Sequence, residues 1–147
     1  MADIDRTRNI AAAPKQIWDV LADFGGISSW VDNVDHSCIL VGGTGPVGTT
    51  RRVQVGREVL VERIVEFDAP HALAYDIEGL PKRLRRVTNR WTLRPVGRSS
   101  VVTLTSTVEI GSRPDQQLAE RIVCRVLARQ SDAMLAGLAK RMESARV

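Results

Sequence analysis

Arg51 and Glu62 stand where they could meet across a turn. Gly56-Arg57 separates two runs of strand-forming residues, 49–55 and 58–67. If it is a two-residue hairpin turn, pairing sets Val55 opposite Glu58, Val53 opposite Leu60 and Arg51 opposite Glu62. Directly opposed residues share one sheet face, so the arginine and the glutamate would lie together. Such a pair can orient a polar group of a ligand. It can also work as acid and base, Glu62 exchanging the proton and Arg51 tuning it or holding an enolate. A carboxylate beside an arginine is held in its charged form, which suits an anchor better than a neutral proton donor.

Which face the pair occupies has two readings. Thr50, Arg52 and Gln54 make a natural solvent face, which turns Arg51, Val53, Val55, Leu60, Glu62 and Ile64 inward. Strand 58–67 taken alone says the opposite: Val59, Val61, Val65 and Phe67 outnumber the apolar residues at even positions, leaving Glu62 exposed. A one-residue change in turn length interchanges the two. Further on, Val87, Asn89 and Trp91 alternate with Thr88, Arg90 and Thr92, so Asn89 is either a polar point on an apolar wall or a rim residue. Val123, Leu127 and Ser131 fall at i, i+4 and i+8 on one helix line, with Met134 close by, which fits a ligand wall and ordinary core packing equally.

Other groups carry less. His36 and His71 have no acid or nucleophile at a useful spacing, because Asp35 and His36 are adjacent on a strand and face opposite sides. Cys38 and Cys124 are isolated and read as reduced thiols, so no metal and no cofactor are expected. The glycine-rich 42–48 stretch lacks the Lys-Ser/Thr ending and following helix of a phosphate loop and reads as a hairpin loop. From Lys82 to Arg98 seven basic residues occur without an acidic one. That block could dock an acidic protein partner, but only Trp91 is near it to stack a base, so nucleic acid ranks low.

The elements that would position these residues follow from pattern. Asp3 to Ile10 forms a strand, and Ala13-Pro14 opens a helix running to about Ala22, proline suiting the first turn. Gly25-Gly26 then breaks it before a short helical turn ending near Trp30; Trp18 and Trp30 anchor these helices to the core. Strands are expected over 34–41, 49–55, 58–67, 72–78, 85–93 and 100–110, joined by turns into an antiparallel meander. From Pro114 to about Met142 apolar residues recur at three- and four-residue steps, giving one long amphipathic helix. A sheet and a helix, each with one apolar face, must bury those faces together in a layered α+β domain. At 147 residues, 44% hydrophobic and 26% charged, one globular domain is the expectation. No run approaches the ~18 apolar residues of a membrane span, and the start has no secretory pattern, so a cytoplasmic location is expected.

The order strand, two short helices, six-strand meander and long terminal helix resembles the helix-grip fold of the START-like (SRPBCC) superfamily, in its bacterial polyketide cyclase/dehydrase-like branch. The residues carrying the resemblance are Ile10-Ala11-Ala12-Ala13-Pro14 with Ile17-Trp18, then Trp30, Gly48-Thr49-Thr50-Arg51, the run Glu62 to Asp68, and Tyr75. It covers nearly the whole chain and implies a single Bet v 1-like domain over 1–147, a curved antiparallel sheet of about seven strands wrapped around the C-terminal helix. It also implies a polar group near position 62 facing inward. The layout is similar to plant abscisic-acid receptors too, but those have a longer gating loop where this chain has Gly56-Arg57.

Proteins of this fold include lipid carriers, receptors, aromatase/cyclases and chaperone partners, so fold leaves activity open. The leading expectation is carriage of a small hydrophobic molecule, lipid-, polyketide- or isoprenoid-like, between sheet and helix. Alternatives are a polyketide aromatase/cyclase or dehydratase using Glu62 and Arg51, and a protein-interaction module with a basic surface.

Overall fold

A computed structural model describes residues 2–42, 44–79, 85–109 and 114–144, the side chains of Ala2, 114–121 and Cys124 excepted. The elements are β1 (Ala2–Ile10), α1 (Pro14–Ala22), a short 3₁₀ helix (Phe24–Ser29), β2 (His36–Val41), β3 (Thr50–Val55), β4 (Glu58–Asp68), β5 (Ala72–Glu78), β6 (Arg86–Val96), β7 (Ser99–Glu109) and α2 (Pro114–Ser144). The seven strands form one curved antiparallel sheet in the order β1-β7-β6-β5-β4-β3-β2. The meander thus folds back so that β7 meets β1, and α2 lies along these two strands.

Local chemistry accounts for the joints. Pro14 opens α1, and Gln16 reaches back to accept the Ala13 N–H at 3.1 Å, supplying a terminal donor with a partner. Gly56, at φ +61°, takes the left-handed position of the β3–β4 turn, where a side chain would be strained. Asp35 Oδ2 accepts the Gly56 N–H at 2.8 Å and pins that turn to the segment entering β2.

Strand β2 begins at His36 rather than at 34, and two further features differ from the sequence expectation. The β6–β7 turn is only Gly97-Arg98, because β6 continues through Pro95 to Val96. Proline is tolerated there since β5 pairs with β6 no further than Thr92, so at Pro95 only β7 is hydrogen-bonded alongside. In β4 the pairing with β5 skips Val65, passing from Ile64–Tyr75 to Glu66–Ala74. This bulge inverts the alternation for the rest of the strand and brings Phe67 to the inner face against Trp18.

The core lies between the inner sheet face, α1, the 3₁₀ helix and α2. Every aromatic side chain of the protein, three Trp, two Phe and one Tyr, is spent in three edge-on pairs: Trp18–Phe67, Phe24–Tyr75 and Trp30–Trp91, with ring centroids 5.0, 5.5 and 5.9 Å apart. These rings fill the end of the grip under the short helices. The other end is left to aliphatic side chains.

Candidate functional site

The turn at Gly56-Arg57 sets the register expected of it: Val55 faces Glu58, Val53 faces Leu60 and Arg51 faces Glu62. The pair points inward, Arg51 being 3% and Glu62 6% exposed, while Val59 and Val65 lie on the outer face. Arg51 Nε donates to Glu62 Oε1 at 2.7 Å, and Nη2 lies 2.6 Å from the same oxygen, off the line of a hydrogen bond. Nη1 donates to the Phe24 carbonyl at 2.9 Å. The guanidinium carbon sits 3.8 Å from the Phe24 ring centroid and 4.7 Å from that of Tyr75. The arginine is therefore enclosed by its carboxylate, a backbone carbonyl and two π faces, an environment that offsets the loss of water around a cation.

Beside this pair runs a buried polar chain. The Tyr75 hydroxyl accepts from Trp91 Nε1 and Asn89 Nδ2, both at 3.4 Å; Asn89 Oδ1 accepts from Ser106 Oγ at 2.6 Å, and Ser106 Oγ lies 3.5 Å from Ser131 Oγ on α2. Burial, reinforced by the Glu62 charge, pushes the Tyr75 phenol above its ordinary pKa. Asn89 is thus a wall residue, and the chain ties the sheet to α2.

Above these groups lies a cavity of about 440 Å³. Of the residues singled out in the sequence, Val53, Val55, Leu60, Glu62, Val87 and Asn89 line it from the sheet, and Val123, Leu127 and Met134 from α2. Arg51, Ile64, Trp91 and Ser131 face inward but do not reach it; each is buried beneath, at 3%, 2%, 1% and 2% exposure. The cause is the aromatic packing: Phe24 and Tyr75 cover Arg51, and Trp30 covers Trp91, so the open volume is displaced toward the β3–β4 turn and Gly79.

The sequence reading missed the wall supplied by the 3₁₀ helix and the segment after it, Ile27, Val31 and Val34, together with Ile77 on β5. Ile77 alternates with Tyr75, a signal that could have found it; the other three form no regular strand or helix stripe. It also missed Asn33 and Gln130, whose amides exchange two hydrogen bonds, 2.9 and 3.3 Å, across the cavity edge. Gln130 lies seven residues beyond Val123, on the helix line already identified. No aromatic ring lines the cavity.

The basic segment is less free than its local composition implies. Arg90 Nε donates to Glu66 at 2.7 Å, holding that carboxyl below its ordinary pKa, and Arg86 contacts Asp76 at 3.4 Å. The acids missing from the segment itself are supplied across the sheet by β4 and β5. Lys82 and Arg83 lie outside the described residues. The glycine-rich stretch leads into β3 rather than a helix, and Gly48 N–H bonds the Ile64 carbonyl at 2.9 Å, a loop packed on the sheet. His36 and His71 are exposed, Cys38 is free and half-buried, and the Cys124 side chain lies outside the described residues. Among the described residues no three of His, Cys, Asp and Glu cluster as metal ligands, and no helix is long and apolar enough to cross a membrane.

A curved seven-stranded sheet gripping a C-terminal helix over an aliphatic cavity is the architecture of the START-like, Bet v 1-like helix-grip proteins. Solved structures agree: the Zhui aromatase/cyclase of Streptomyces sp. R1128 is similar at TM-score 0.79 and 20% identity, covering 97% of this chain and 93% of that one. A Thermobifida fusca protein is similar at TM-score 0.80 and 26% identity over 96% and 93% of the two chains. A START superfamily protein of Mycobacterium smegmatis gives 0.75 and 15% over 97% and 98%. The chain belongs to the family described as polyketide cyclase / dehydrase and lipid transport, whose model matches residues 1–143. No curated protein matches the sequence.

Proposed function

We propose that the protein binds and carries a small hydrophobic molecule, of lipid, polyketide or isoprenoid size, in the cytoplasm. The observation that carries this reading is the cavity itself: about 440 Å³ walled by aliphatic side chains, within the range of small-molecule sites, with few polar atoms. Its principal charged group, Glu62, is already tied to Arg51, which fits a fixed anchor.

Two measurements test it. Native mass spectrometry of freshly purified protein should reveal a co-purified apolar compound, and the neutral dye Nile red should bind saturably with at least micromolar affinity. Absence of both would overturn the reading.

A second reading, ring closure or dehydration of a polyketide-like chain with Glu62 and Arg51 as acid–base partners, draws on the similarity to an aromatase/cyclase. It requires turnover of a poly-β-ketone that disappears in Glu62→Gln while the fold persists.

A further inference from the structure

The Arg51–Glu62 pair has a direction, and the direction selects the ligand. Only the carboxylate borders the cavity; the guanidinium lies beneath it, under Phe24 and Tyr75. Of the Glu62 oxygens, Oε1 accepts from Arg51, and among the described residues no hydrogen bond reaches Oε2. Of the other polar groups at the wall, Asn89 is committed to Tyr75 and Ser106, and Asn33 and Gln130 to each other, while Glu58, beside the β3–β4 turn, is exposed and keeps its carboxylate in water. A ligand in this cavity therefore meets a strong hydrogen-bond acceptor set in an apolar wall.

Resting on the proposed carrier reading, we infer that the cavity takes neutral, hydroxylated aliphatic molecules, whose O–H donates to Glu62, and rejects carboxylates such as free fatty acids. A carboxylate ligand would lie against Glu62 with the balancing guanidinium on the far side, so like charges would face each other in an apolar site. An ammonium ligand would find Glu62 already neutralised and would bring a surplus charge into the cavity. A neutral donor satisfies the open lone pairs without changing the charge. The aliphatic wall, with its rings spent elsewhere, offers no face for stacking and suits a saturated or isoprenoid body.

The test is a size-matched series competing with Nile red: cyclododecanol, cyclododecanone, which keeps the oxygen but lacks the donor, and cyclododecanecarboxylate. Cyclododecanol should bind at least ~10-fold tighter than the ketone and ~100-fold tighter than the carboxylate, the scale on which pairing or stranding a buried polar group acts. In the double variant Arg51→Met/Glu62→Leu, which leaves no unpartnered charge, the alcohol's advantage over the ketone should shrink to less than about threefold. Carboxylate binding as tightly as the alcohol, or an alcohol preference unchanged in the double variant, overturns the inference. So does failure of all three to displace a dye that binds. If Nile red itself does not bind, the carrier reading fails first, which separates the two claims.

Discussion

Gly137 of α2 lies against the carbonyl oxygen of Trp30, so close that a Cβ at 137 would overlap it. The helix reaches the segment after the 3₁₀ helix only because that position has no side chain.

Gly137→Ala accordingly opposes two effects. Alanine is the better helix former by about 1 kcal/mol, but the obstacle is backbone, which cannot swing aside, and overpacking costs roughly 1–3 kcal/mol. The expected outcome is a lower denaturation midpoint. An unchanged or higher midpoint would mean that α2 moves away at little cost.

Glu62→Gln should destabilise the protein by about 3–5 kcal/mol, since it strands the buried Arg51 cation, whereas an exposed pair would cost ~0–1 kcal/mol. Arg51→Met with Glu62→Leu should recover most of that loss. Denaturant titrations of the unaltered protein and the two variants check it, and a near-neutral single variant would sink it.

Leu127→Trp should leave the denaturation midpoint nearly unchanged while weakening Nile red binding by about tenfold or more, equivalent to 1.4 kcal/mol. Leu127 borders open volume, so an indole there fills the cavity rather than crowding packed core. A large fall in stability with binding intact would refute this.

Alkaline titration should register Tyr75. The unfolded chain loses the phenol proton near 10.0, while burial raises the native value. Above that pH the unfolded state binds fewer protons, so stability, complete below it, declines as pH rises toward the native pKa. Because the protein has one tyrosine, tyrosinate absorbance reports this group alone. It should appear together with loss of circular dichroism; tyrosinate forming near 10 in folded protein would contradict it.

The residues themselves carried the element order and the β3–β4 register, because Gly56-Arg57 permits one arithmetic of pairing. What the alternation in 58–67 concealed is the skip at Val65: a bulge leaves no local signature, so counting apolar residues across it adds Phe67, an inner residue, to Val59 and Val65, outer ones. The cavity's position was hidden for a different reason. It depends on where six rings meet, and each pair joins residues far apart in sequence, such as Trp18 and Phe67. The neutralisation of Arg86 and Arg90 by Asp76 and Glu66 is likewise a cross-strand matter.

The skip at Val65 also makes β4 two strands in phase terms. Residues before it present Leu60 and Glu62 to the cavity, and Phe67 after it presents its ring to Trp18 of α1. If Val65 were instead taken into the ladder as a regularly paired residue, Glu62 and Phe67, an odd number of positions apart, would fall on opposite faces, and the chain could keep Glu62 against Arg51 or Phe67 against Trp18, but not both. One skipped residue thus lets a single strand serve both the wall that meets a ligand and the joint that seats the first helix.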